Sequence, residues 1–184
     1  MKVINFYGGA GCGKSTTAAG LFFLMKINGY SVELVQEYVK DLAWEDRHED
    51  QAFITANQNK KLHRLIGKVD YAICDSSLLL GLTYMADDYA VPSFRDYVID
   101  LYNSYDNVLN IFVERQKPYL QDGRYETEAN AIENDARIKQ MLRGLKIPYH
   151  VVKGNVDAPD EVLKLVEYQS DTEVFFNNLT EAIP

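Results

Sequence analysis

The sequence predicts an α/β fold: a five-stranded parallel sheet with helices on both faces. Three observations carry the prediction. Short β-branched and aromatic runs alternate with helix-period segments along the whole chain, the pattern of a parallel sheet whose crossovers are helices. The stretch from Gly8 to Thr16 fits G-x-x-x-x-G-K-[ST] at every required position and lies between a predicted strand and a predicted helix. Charged residues also stand just past the apolar strands, where open α/β sheets bind their ligands.

Composition sets the outer limits. The chain has 184 residues, enough for one domain with a sizeable core, and its 47% hydrophobic and 25% charged content is that of a soluble globular protein. No apolar run is long enough to span a bilayer, and Met1 runs almost directly into the first strand without a signal-peptide pattern. A cytoplasmic protein without membrane attachment is therefore expected. Net charge is −8. Seven acids against Lys164 alone between Asn155 and Pro184 account for −6 of it, so the body is near neutral. An acidic protein is a poor non-specific nucleic-acid binder; the one local basic patch is Lys60, Lys61, His63 and Arg64 with Lys68. Two cysteines, Cys12 and Cys74, make no disulfide framework and read as small buried thiols.

The first strand is Lys2 to Tyr7. The glycines that follow let backbone N–H groups of Gly8, Gly9, Ala10, Gly11, Cys12 and Gly13 wrap an anion. The helix from Thr16 to Asn28, with Ala18, Leu21, Phe22 and Met25 at helical spacing, points its positive end at that anion. Lys14 is expected to reach the β- and γ-phosphates of a nucleoside triphosphate, and the Ser15 hydroxyl to ligate Mg²⁺. The second strand is Ser31 to Val35, with Glu37 and Tyr38 just past its end. Lys40 to Asp50, which holds the sole tryptophan Trp44, reads as a short helix and loop with a solvated acidic face. A helix from Gln51 to Ile66 carries an apolar stripe of Ile54, Leu62 and Leu65. Gln58 interrupts that stripe, either facing a pocket or lying at its margin.

The third strand, Tyr71 to Cys74, ends in Asp75. An acid there, beside a phosphate loop, is placed to hold Mg²⁺ or its water. Leu78 to Leu82 begins the next helix, and another runs from Pro92 or Ser93 to about Tyr105. The fourth strand is Val108 to Val113. Arg115, Lys117 and Arg124 follow it in a loop containing Pro118 and Gly123, which suits a lid over phosphates at 115–127; surface ion pairs with Glu114, Asp122 or Glu126 are the alternative for the arginines. A polar helix from Thr127 to Gly144 has a partial cap. The fifth strand is Tyr149 to Val152, with His150 structural or on the surface. A last helix spans Asp160 to Glu167, leaving residues 169–184 as an acidic tail whose Val174, Phe175 and Phe176 suit docking back or a partner.

Gly8 to Thr16, Val35 to Tyr38, Cys74 to Ser76 and the Glu114 to Arg124 stretch together resemble small phage-type P-loop kinases. These are similar to the nicotinamide riboside kinase domain and to the nucleoside and thymidylate kinase group; within them the chain resembles phage kinases that phosphorylate 5-hydroxymethyluracil already in DNA. The resemblance covers residues 1–168. It implies a three-layer sandwich with strand order 2-3-1-4-5 and transfer of the γ-phosphoryl group of ATP, with Mg²⁺, to a hydroxyl acceptor. By position, Glu37 matches the acid that receives the acceptor proton, Arg115 and Arg124 fall in the lid, and Lys14 and Asp75 complete the catalytic set. Ser76 stands where thymidylate and deoxynucleoside kinases usually carry arginine, and the lid is poorer in arginine, which points away from a free nucleotide and toward DNA.

Two other readings compete. One is a kinase for a free nucleoside, nucleotide or nicotinamide riboside. The other is a hydrolysing switch, disfavoured because no Glu follows Asp75 to activate water and no N-K-x-D motif occurs. The sequence leaves oligomeric assembly open.

Overall fold

The fold follows from three apolar inner strands, Lys2–Tyr7, Tyr71–Cys74 and Val108–Glu114, which need cover on both sides. In a computed structural model of the chain, residues 1–44, 50–85, 92–122, 124 and 126–181 are described, with backbone alone for 43, 44, 92 and 170–181. Strands β1 (Lys2–Tyr7), β2 (Val32–Val35), β3 (Tyr71–Cys74), β4 (Val108–Glu114) and β5 (His150–Lys153) form one sheet in the order β2-β3-β1-β4-β5. Every pairing is parallel: Ile4 lies between Ile73 and Leu109, Val35 beside Cys74, and Val113 beside Val152. All five carboxyl ends therefore share one edge. β1, at the centre, is buried throughout, as expected of a parallel strand covered on both faces.

Side-chain alternation sorts the sheet's two faces. Ile4, Phe6, Ile73, Leu109, Ile111 and Val113 pack against helices α1 (Lys14–Ile27) and α7 (Ala158–Glu181), through Ala18, Leu21, Met25, Val162 and Val166. On the opposite face Tyr7 and Phe112 meet α5 (Pro92–Asn103) and α6 (Glu128–Gly144), through Phe94, Val98, Ile138 and Leu142. Val3, Ala72 and Cys74 meet α3 (Gln51–His63) at Leu62. Two shorter helices, α2 (Tyr38–Trp44) and α4 (Gly81–Tyr84), with a 3₁₀ turn at Leu78–Leu80, line the carboxyl edge.

One boundary is corrected. The last helix does not end at Glu167 but runs on to Glu181, so the acidic segment continues a helix whose first turns are anchored by Ala158, Val162 and Val166. The cap of α6 is a working one: the Thr127 hydroxyl accepts from the Asn130 N–H at 3.3 Å. Glu45, Asp46, Glu49, Gly123, Tyr125 and the side chains of Trp44, Val174, Phe175 and Phe176 lie outside the described residues. His150 is exposed, and both cysteines are free and buried. Among the described residues no helix is long and apolar enough to cross a membrane.

Candidate active site

β1, β2 and β3 each deliver one feature to the carboxyl edge. β1 leads into the phosphate loop. Gly13 caps α1 in the left-handed region, at φ 118°, with no side-chain cap among the described residues. The first N–H groups of α1 are thus left to an anion, reinforced by the helix dipole. Lys14 is buried with its chain, and its ammonium donates to the carbonyls of Gly8 at 2.7 Å and Gly9 at 3.2 Å. Burial works to lower its pKa, but the acidic groups around it, Cys12, Glu37, Tyr84 and Asp75, outweigh burial and hold it above the ordinary lysine value. The group therefore stays charged at working pH.

β2 and β3 supply carboxylates. Glu37 follows β2, and its charge is felt at Lys14, Asp75, Tyr84 and Glu126. Asp75 follows β3, its N–H donating to the Val35 carbonyl at 3.0 Å. Burial first, then the Glu37 charge, push the Asp75 carboxyl up to about 6, against a hydrogen bond with Ser15 and the charges of Lys14 and Lys40. Its Oδ1 is buried and finds no hydrogen-bond partner among the described residues. A buried oxygen left over in this way needs an explanation; Asp75 and the Ser15 hydroxyl would be the residues to hold a divalent cation there. Among the described residues no cluster of three or more His, Cys, Asp or Glu forms a protein cage for a metal.

Gln58 resolves the ambiguity of its helix. It is 4% exposed. Its Oε1 accepts from the Tyr38 N–H at 2.9 Å and its Nε2 donates to Cys74 Sγ at 3.5 Å. The amide thus ties the turn carrying Glu37 to the end of the strand carrying Asp75, while also lining the cavity.

That cavity, of about 460 Å³, is continuous from the loop residues Gly11 to Thr16, past Glu37 and Gln58, to Tyr84. Lys117, Asp122, Arg124 and Glu126 close one side. Lys117 donates to Thr16 Oγ1 at 3.1 Å. Tyr119 lies over Gly11, where a Cβ would stand 2.8 Å from the ring and φ is +73°, so only glycine fits. Arg124 lies 5.5 Å from the Tyr119 ring centroid and bonds the carbonyls of Leu120 and Asp122.

Arg115 differs from the lid position suggested by sequence. It packs behind the loop, its Nε and Nη2 on Asp135 Oδ2 at 3.2 and 3.1 Å, and it is not among the cavity-lining side chains. Its ion-pair partner is Asp135, none of the three acids considered from sequence. Glu126 and Tyr84 are two cavity residues that sequence reasoning missed. Glu126 is pushed up by burial, against hydrogen bonds from Asn134 and Tyr84. Neither sits in a motif; each reaches the cavity only through the packing of α4 and α6.

The sequence matches the AAA domain family over residues 3–158. The chain belongs to that family. No curated protein gave a match. Among solved structures, this AAA domain is similar to deoxyadenosine kinase from M. mycoides, solved with dCMP and a flexible dCDP bound. The TM-score is 0.56 at 15% identity, over 94% of this chain and 100% of that one. It is also similar to thymidylate kinase from Ehrlichia chaffeensis, with a TM-score of 0.56 at 14% identity, over 90% and 98%. At these identities the likeness is one of fold: the AAA domain has the P-loop sheet order and layers of nucleoside and nucleotide kinases.

Proposed function

We propose that the protein is an ATP-dependent phosphotransferase moving the γ-phosphoryl group to a hydroxyl of a nucleoside-type acceptor. The observation that carries this reading is the single cavity joining an uncapped helix start and buried Lys14 to Glu37 and Gln58. One end suits a triphosphate and the other is walled by Ile54, Thr55, Leu80 and Tyr84, room for a ring. Phosphoryl transfer asks mainly for positioning and charge neutralisation. In this reading the backbone N–H groups from Gly13 to Thr16 at the start of α1, with those of Ala10 and Gly11, cradle the phosphates, while the Gly9 N–H is held by Asp135; Lys14 neutralises the transferring group, and Lys117 and Arg124 close over it from the 115–127 lid. Glu37 takes the acceptor proton. Ser15 and Asp75 would hold Mg²⁺, whose role is to offset phosphate charge. Ser76 and Ser77 after Asp75 offer no carboxylate to activate water, which weighs against a hydrolytic switch.

The acceptor has two candidates. The deoxyadenosine and thymidylate kinase likeness of fold favours a free nucleoside or nucleotide. A hydroxymethyl group of hydroxymethyluracil within DNA is the second, favoured by the exposed Lys60, His63, Arg64 and Lys68 at and beyond the carboxyl end of α3, whose opposite, N-terminal turns line the cavity. The test is the Lys60→Glu/Arg64→Glu double variant, assayed on both acceptors. On the free-acceptor reading KM for the nucleoside is unchanged and hydroxymethyluracil DNA is inert. On the DNA reading KM for DNA rises at least about tenfold and its salt dependence flattens; an inert DNA acceptor in the unmodified protein removes that reading.

A further inference from the structure

Asp135, on α6, is 126 positions from the phosphate loop, yet it bonds that loop directly. Its Oδ1 accepts from the Gly9 N–H at 2.5 Å. Its Oδ2 accepts from Nε and Nη2 of Arg115. The pair is largely enclosed, with side-chain exposures of 14% for Arg115 and 19% for Asp135. α6 approaches so closely that a Cβ on Gly9 would collide with the Ala131 carbonyl. The third guanidinium nitrogen, Nη1, is buried, finds no hydrogen-bond partner among the described residues, and would lie 3.4 Å from a Cβ on Gly11. Tyr119, which covers Gly11, has Arg115 5.9 Å from its ring centroid, and its hydroxyl donates a hydrogen bond to the Glu126 carbonyl.

We infer that Asp135 is a positioning residue for the triphosphate, holding Gly9 from behind so that the N–H groups at the start of α1 face the anion, and holding Arg115 against Gly11. The inference rests on the nucleotide site proposed above. An anion-binding loop works through donors already aimed at the charge. The Gly9 N–H points away from that task, into a carboxylate, and its carbonyl in turn accepts from the Cys12 N–H at 3.4 Å. Arg115 supplies the compensating charge, so no bare carboxylate opposes the incoming phosphates. The same contact joins the loop to the segment that leads through Tyr119 to Glu126 and α6.

The test compares Asp135→Ala and Asp135→Asn with the unmodified protein, by calorimetric titration of ATP with Mg²⁺ and by KM for ATP and for the acceptor. Asp135→Ala leaves Gly9 and Arg115 without partners, and ATP affinity falls roughly 10- to 100-fold while acceptor KM stays within about threefold. Asp135→Asn keeps an oxygen for Gly9 and recovers most of the loss. ATP affinity unchanged in Asp135→Ala overturns the inference, as does an equal loss for both substrates in both variants, the mark of general loosening. An unmodified protein that binds no ATP overturns the nucleotide site itself and this inference with it; the variants alone failing to differ leaves the site standing.

Discussion

Replacing Asp75 with asparagine should make the protein more stable at pH 8 while impairing its Mg²⁺-dependent chemistry. The carboxyl is 4% exposed and lies in the field of Glu37, which together with burial raises it from an ordinary 3.8 to about 6. At about 1.4 kcal/mol per pH unit, ionising it inside the fold costs about 3 kcal/mol. Because the folded value lies above the unfolded one, the stabilising contribution of the neutral carboxyl is complete below about pH 4 and is lost as pH rises through about 6. Asparagine keeps the shape without the charge. Its advantage is therefore about 3 kcal/mol at pH 8, about half that at pH 5, and absent below pH 4. For a chain of this size that is a rise in Tm of up to about 10 °C at pH 8. Thermal denaturation of both proteins across that range, in chelator, reads the effect. A variant no more stable than the parent at pH 8, or a difference that ignores pH, would refute the reasoning. In the same pair, activity at limiting Mg²⁺ should fall with Asp75→Asn, since the unpartnered Oδ1 is the oxygen proposed for the ion.

Other predictions concern the acceptor side. Glu37→Gln should lower kcat by roughly 10²- to 10⁴-fold with KM for ATP within a few-fold, measured by steady-state kinetics at saturating acceptor; an unchanged kcat removes Glu37 as base. Gln58→Leu removes the acceptor of the Tyr38 N–H and the donor to Cys74. It should cost roughly 1–3 kcal/mol in urea unfolding, and lower kcat as well because the turn holding Glu37 is released; a variant of parental stability shows that the amide ties nothing.

The sheet was legible because its signals are local. Each strand is a short run rich in β-branched or aromatic residues, and the three inner strands β1, β3 and β4 are buried enough that their pattern is nearly continuous. The G-x-x-x-x-G-K-S stretch and Asp75 after β3 are likewise readable from neighbours in sequence. The strand order came from family resemblance, not from periodicity. What was not legible depends on packing across long separations. Asp135 meets Gly9 only because α6 docks against the loop after β1. Arg115 reads as one more lid cation until that docking gives it a partner. Glu126 and Tyr84 belong to no motif and enter the cavity through the ends of two helices. The extent of α7 was missed for another reason: past Glu167 the acids Asp171 and Glu173 suggest a solvated tail, although charged residues with few breakers are as compatible with a continuing exposed helix.

The central claim, transfer beneath a closing segment in place of hydrolysis, is tested most directly by following γ-labelled ATP with Mg²⁺. The acceptors to offer are free nucleosides and nucleotides, nicotinamide riboside, plain DNA and hydroxymethyluracil DNA. The account predicts label on one acceptor class, lost in Glu37→Gln, with little inorganic phosphate released when acceptor is withheld. Rapid release of labelled phosphate that no acceptor alters would contradict it and make the protein a nucleotide hydrolase.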